Sequence, residues 1–158
     1  MNKRIMKKNL LLALIAMIAA FLVSQFLFVA VLVQGTSMEP GLRNGSIVLA
    51  DRTCREYQVG DIIVFRQDTV QVNAVKRIAG CPGDTVQISE GKLLVNGEIP
   101  DVFLDLFFEE PGRLRFPYCV PDGMVLVLGD NAAQSTDSRY EEFGDVRLDA
   151  VVGKVIGK

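Results

Sequence analysis

Histidine is missing from all 158 residues. That absence removes every catalytic dyad or triad built on an imidazole base and every metal site that needs a histidine ligand. Cysteine is scarce too: Cys54, Cys81 and Cys119 stand apart, with no C-x-x-C pair among them. An odd number rules out a full disulfide framework, although one bridge remains open. Small buried apolar side chains are the ordinary role for each, and a nucleophilic cysteine would lack its customary histidine. Basic charge is thin outside the N-terminus. Setting aside Lys3, Arg4, Lys7 and Lys8 leaves 13 basic against 19 acidic residues, a net of −6. So acidic a body argues against nucleic acid as a partner.

What is present begins with a long apolar run. No charged residue occurs from Asn9 to Met38, and Leu10 to Val33 is apolar except for Ser24 and Gln25. As a helix those 24 residues would extend ~36 Å, enough to cross a ~30 Å hydrocarbon layer with some tilt. A cleavable secretory signal shares the basic start and apolar run, but its core is usually about 7–15 residues. The small-x-small tripeptide at the end, Val33-Gln34-Gly35, is also poor. A retained anchor is therefore expected. Four basic residues lie ahead of it and the first charges behind are Glu39 and Arg43, which predicts a cytoplasmic N-terminus and an external body. The expected division is 1–8 basic N-terminus, 9–33 transmembrane anchor and 34–158 extracytoplasmic domain.

Past residue 40 the pattern is of short strands. Ser46–Ala50 and Asp61–Phe65 are β-branched runs bounded by Asn44-Gly45 and Val59-Gly60. Val70–Ala79 reads as a longer strand ending in the breaker-rich turn Gly80-Cys81-Pro82-Gly83-Asp84. Thr85–Ser89 and Lys92–Val95 flank Glu90-Gly91 as a hairpin. Met124–Leu128 and Ala150–Ile156 supply two more strands. No long amphipathic helix follows the anchor. The predicted fold is mainly β, a coiled sheet or partly open barrel behind one N-terminal transmembrane helix. Within residues 98–123, Val102–Phe108 sets large apolar side chains between acidic ones. It reads either as a buried strand or as an apolar edge that dips into a membrane.

Three stretches carry chemistry. Ser37, in Gly35-Thr36-Ser37-Met38-Glu39-Pro40, follows the anchor directly and is either a linker residue or a nucleophile held at a membrane surface. Strand alternation puts Val72, Ala74, Lys76 and Ile78 on one face, with Arg77 on the other. Lys76 is thus a lone charge on an apolar face, either snorkelling at the sheet edge or desolvated. Burial can lower a lysine pKa by several units from about 10.4, which turns a cation into a usable base. With no histidine in the chain, a lysine is the natural partner for a serine nucleophile. The third stretch, Gly129 to Arg139, is dense in Asp, Asn and Ser. It suits a solvated loop that satisfies its own backbone, or a support in which Ser135 bonds the lysine and Asp137 pairs with Arg139.

These stretches line up with one family. Ser37-Met38-Glu39-Pro40-Gly41-Leu42 resembles the Ser-Met-x-Pro-Thr-Leu box of bacterial type I signal peptidases. Val75-Lys76-Arg77-Ile78-Ala79-Gly80-Cys81-Pro82-Gly83-Asp84 is similar to their Val-Lys-Arg-x-x-Gly-x-Pro-Gly-Asp box. Gly129-Asp130-Asn131 with Ser135, Asp137, Ser138 and Arg139 resembles their Gly-Asp-Asn-x-x-x-Ser-x-Asp-Ser-Arg box, and Gly60–Phe65 a further structural one. The four occur in family order across residues 35–153.

The resemblance, to the single-anchor Gram-positive form, implies a Ser/Lys serine endopeptidase outside the cytoplasmic membrane, without metal or cofactor. It would cut signal peptides from exported preproteins after small residues of the Ala-x-Ala type. Ser37 would be the nucleophile and Lys76 the general base. Ser135 would orient the lysine, Asp137 and Arg139 would form a supporting ion pair, and the Ser37 backbone N–H would stabilise the oxyanion. Met38 and Leu42 match positions of the small-residue pocket. The partners implied are exported preproteins and the lipid bilayer, with no nucleic acid and a monomeric enzyme. Gly35 stands where some relatives carry a serine donor, Gly41 where threonine is usual, Ala132 where arginine is common and Cys81 where leucine is common. Endoplasmic-reticulum-type relatives use histidine in place of the lysine, so a chain without histidine is not one of them. Two other readings remain: a self-cleaving Ser/Lys protease of the repressor type, and a membrane-tethered β domain that binds without catalysis.

Overall fold

The computed structural model describes residues 3–66, 73–108 and 117–157. The chain opens with α1, Lys3–Leu27. Its segment Met6–Leu27 is 22 residues long, apolar enough to cross a membrane, and makes no buried contact with the body. A long apolar helix exposed over its span in this way is consistent with a membrane anchor. The helix stops six residues short of the end of the apolar run. Phe28–Leu32 forms β1 instead, paired antiparallel with β2, Ile47–Asp51, from Phe28↔Asp51 to Leu32↔Ile47. Phe-Val-Ala-Val-Leu is as good a strand as it is a membrane segment, and the open hydrogen bonds of the β2 edge decide between them.

β3 (Ile62–Arg66) and β4 (Asn73–Gly80) follow, the latter beginning where the expected strand from Val70 enters the described residues. Next come β5 (Thr85–Ser89), β6 (Lys92–Val95) and β7 (Tyr118–Cys119). The chain finishes with β8 (Met124–Leu128), β9 (Val146–Arg147) and β10 (Val151–Val155). Among the described residues they make two open sheets, β1-β2-β10-β3-β4-β8-β9 and β6-β5-β7, with every pairing antiparallel. The mainly β expectation holds.

β3 is the centre of the large sheet. Ile62 and Val64 pack with Met38, Leu42 and Val48 on one face, while Ile63 and Phe65 pack with Ile78, Val125 and Val127 on the other. A strand covered on both faces reads as a continuous apolar run, which explains why Ile-Ile-Val-Phe shows no alternation. A third cluster, with Val86, Leu93, Phe103, Phe108 and Leu126, joins the small sheet to the large one.

Val102–Phe108 is not a strand. Asp101–Phe103 is a single 3-10 turn, and the segment straps the small sheet with Phe103 and Phe108 fully buried. Their rings meet edge to face with centroids 5.9 Å apart. Phe107 is exposed on its outer side but lies against Gly91, where a Cβ would overlap its ring. Residues 109–116 lie outside the described part. All three cysteines are free thiols.

Candidate active site

Lys76 sits in β4 opposite Ile63 of β3, and its residue is only 6% exposed. The expected alternation holds across Ala74, Lys76 and Ile78, whose apolar members pack with Phe65 and Val127. Its Nζ donates a 2.9 Å hydrogen bond to Ser135 Oγ. Burial pushes the ammonium below the ordinary lysine range; the Asp137 carboxylate opposes that shift, the Arg139 guanidinium reinforces it and Asp130 opposes it. Desolvation dominates.

Ser37 follows β1 in a tight turn: Glu39 N–H donates to Thr36 O at 3.1 Å and Leu42 N–H to Met38 O at 2.7 Å. The turn is pinned to the Gly129–Arg139 loop. Asn131 N–H donates to Ser37 O at 3.0 Å, and the Thr36 hydroxyl donates to Gln134 Oε1. Gly129 passes between the two halves of the site, and a Cβ there would overlap both Ser135 Oγ and the Ser37 carbonyl. Ser37 and Lys76 line one cavity of about 450 Å³, together with Met38, Val75, Thr136 and Phe143. Among the described residues no hydrogen bond joins Ser37 Oγ to Lys76 Nζ, and neither the hydroxyl nor the N–H of Ser37 has another partner. Both Ser37 groups are therefore free for a substrate.

Behind Ser135 lies the pair expected from sequence. Arg139 Nε reaches Asp137 Oδ1 at 2.8 Å and Nη2 reaches Oδ2 at 3.1 Å, both residues fully buried. No fully buried side-chain atom of this pair lacks a hydrogen-bond partner. Asp137 also accepts from Gly129 N–H at 3.0 Å, and Arg139 Nη2 donates to the carbonyls of Ala132 at 2.7 Å and Ser135 at 3.2 Å. The Phe108 and Tyr140 rings each lie 5.9 Å from the guanidinium. A buried ion pair is tolerable when every remaining donor and acceptor is met.

A second pair was not anticipated. Arg77, facing away from Lys76, forms a bidentate bridge to Asp130, with Nε–Oδ1 and Nη2–Oδ2 both 2.7 Å, and donates to Gly60 O at 2.8 Å. Gly41 in the Ser37 turn rests on it, and a Cβ at Gly41 would overlap Asp130 Oδ2. The departure from threonine at this position thus has a local fit. The sign in the sequence was an arginine on the polar face of the lysine strand and an aspartate opening the Asp-Asn-Ser loop. Met38 lines the cavity, but Leu42 does not; it is buried in the core with Val33 and Val48. At Gly35 the backbone N–H is taken by Asn44 Oδ1 at 3.1 Å.

Comparison with known proteins places the chain in one family. The profile of the family described as signal peptidase, peptidase S26, matches residues 6–157. Signal peptidase I of Bacillus licheniformis is 37% identical over 137 residues, covering 80% of this chain and 74% of its own. Signal peptidase I T of Bacillus subtilis (strain 168) is 35% identical over 150 residues, covering 88% of this chain and 77% of its own. The crystal structure of a signal peptidase I from Enterococcus faecalis V583 superimposes with a TM-score of 0.51 at 32% identity, covering 62% of this chain and 95% of that one.

Proposed function

The chain belongs to the signal peptidase S26 family, and from that membership we propose that Ser37 is its nucleophile and Lys76 its general base. The protein is a membrane-associated serine protease that removes signal peptides from exported preproteins. One observation carries the assignment of the dyad: among the described residues Lys76 is the single lysine on the wall of the cavity that Ser37 also lines, and burial holds its amine below the ordinary range.

With Lys76 neutral, its Nζ lone pair takes the Ser37 Oγ proton as Oγ bonds to the scissile carbonyl carbon. The carbonyl π pair moves onto oxygen, and the free Ser37 N–H faces the resulting oxyanion. Collapse breaks the C–N bond, Lys76 returns the proton to the leaving amine, and the signal peptide stays as an ester on Ser37. A water then attacks the ester with Lys76 again as base, freeing the signal peptide acid and restoring the serine. Ser135 holds the amine in place through the 2.9 Å hydrogen bond, and the Asp137–Arg139 pair keeps Ser135 in place through the arginine's bond to its carbonyl.

Small residues of the Ala-x-Ala type are the proposed cleavage signal, because the cavity beside Ser37 is walled by Met38 and Val75. The N-terminus is assigned to the cytoplasm and the body to the outside, since Lys3, Arg4, Lys7 and Lys8 precede the apolar helix and no basic residue follows in its last turn. Contact of the body with the bilayer is supported by Leu32, Ile47, Leu49 and Ile156, exposed apolar side chains near or on β1, β2 and the end of β10. A monomer suffices, as the proposed site residues all come from one chain. Purified Ser37→Ala and Lys76→Ala variants, reconstituted in lipid with an exported precursor, should leave it uncut while remaining folded. Retained processing by either would overturn the dyad.

A further inference from the structure

A second cavity, of about 470 Å³, lies away from Ser37 and plays no part in the proposed chemistry. It is lined by three guanidinium-bearing residues: Arg52 and Arg55 from the segment after β2, and Arg66 from the end of β3. None of the three forms a salt bridge among the described residues. The carboxylate on its wall, Asp149, is already held by the guanidinium of Arg147. Arg55 is fixed in place, its Nη1 donating to the carbonyls of Arg52 and Cys54, both at 2.8 Å. Tyr57, also on the wall, ties the same segment by donating to Cys54 O at 3.1 Å. Among the described residues the three clustered cations have no salt-bridge partner, and Asp51 near Arg55 leaves positive charge in excess. Such a cluster suits an anion, and the planar fork of arginine suits phosphate oxygens.

The position of the cavity identifies the source of that phosphate. Arg52 N–H donates a 2.8 Å hydrogen bond to the carbonyl of Leu27, the last residue of α1. From Met6 to Leu27 the helix has 22 residues, ~33 Å, so its end falls where hydrocarbon gives way to headgroups. We propose that the cavity lined by Arg52, Arg55 and Arg66 binds the phosphate of an anionic phospholipid headgroup at the membrane surface where α1 ends. The site rests on the reading of α1 as a membrane span, proposed above. Its occupancy would fix the body against the bilayer by a polar contact, beside the apolar side chains of β1 and β2.

The test uses the full chain in uncharged maltoside micelles, titrated with dioleoyl phosphatidylglycerol, dioleoyl phosphatidylcholine or inorganic phosphate, with bound species counted by native mass spectrometry. The wild-type protein should retain one phosphatidylglycerol in preference to phosphatidylcholine. The variant Arg52→Gln/Arg55→Gln/Arg66→Gln should lose about tenfold or more in that affinity, whereas Lys7→Gln/Lys8→Gln at the other end of α1 should keep it. Unchanged retention by the triple variant, or equal retention of phosphatidylcholine, would overturn the site. Inorganic phosphate binding as tightly as phosphatidylglycerol, with the same arginine dependence, would overturn the lipid as its source. Circular dichroism and cleavage of a detergent-soluble peptide report whether the triple variant is folded. If it is not, Arg55→Gln and Arg66→Gln singly should each give a partial loss, and no loss in either refutes the proposal. Release of the protein from membranes by carbonate would instead refute the span, a separate outcome.

Discussion

Lys76 Nζ donates to Ser135 Oγ at 2.9 Å across 59 positions of chain. That contact ties the middle of β4 to the loop after β8, two stretches whose roles become clear only when they meet. Ser135 is proposed to position the lysine, and it is not among the residues that line the cavity. Ser135→Ala should lower kcat by roughly 10- to 100-fold, the usual size for loss of a positioning partner. KM should change little, because the cavity wall is untouched. Steady-state kinetics on a signal-peptide substrate separate the two, and a rise in KM at constant kcat would place Ser135 in binding instead.

Asp137→Asn leaves the fully buried Arg139 without its counter-charge. Loss of one member of a buried pair costs about 3–5 kcal/mol, a large part of the ~5–15 kcal/mol that holds a domain together. Denaturant unfolding should show that loss together with a fall in activity. In the double variant Asp137→Asn/Arg139→Met the loss should be smaller than the sum of the single ones.

Gly129→Ala places a methyl where Ser135 Oγ and the Ser37 carbonyl already are. Overpacking of this kind costs about 1–3 kcal/mol in stability. Activity should fall further than stability does, by about 100-fold, since the methyl drives the two halves of the site apart. Parallel kinetic and thermal assays check it.

Burial of the Lys76 amine costs the fold stability. Its folded pKa lies below the ordinary 10.5 because of burial, so between the two values the unfolded chain binds more protons than the folded one. Stability therefore rises with pH through that window, and below the folded pKa the full cost is present. Lys76→Met removes the cost. The variant should gain most over the wild type at acid pH, and the gain should shrink as pH climbs toward 10.5. Thermal melts of both proteins in matched buffers read the difference.

Of the candidate site, the contacts of Ser135 with Lys76 and of Asp137 with Arg139 were legible in the sequence, because a chain without histidine turns attention to lysine and the motif resemblance names its neighbours. The strand alternation that isolates Lys76 on an apolar face also survives folding. Three features were not legible, each for a physical reason. Hydropathy is blind to the change from helix to strand at Leu27, since Phe28–Leu32 satisfies both. The strap from Val102 to Phe108 buries Phe103 and Phe108 without regular periodicity, so no strand pattern marks it. The Arg77–Asp130 bridge joins residues 53 apart, and its fit to Gly41 depends on a backbone approach that side-chain chemistry does not announce. Leu42 shows the converse: a residue matched to a pocket packs in the core beneath it.

The central claim is that Lys76 is a base beside Ser37, and the protonation of its amine tests it most directly. Nitrogen-detected NMR of lysine-labelled protein in micelles, with Lys76→Met to assign the signal, follows the Nζ titration. The account predicts a midpoint clearly below that of the surface lysines, coinciding with the acid limb of kcat/KM. A Lys76 amine that titrates with the surface lysines, while cleavage proceeds undiminished at pH 7, would contradict it.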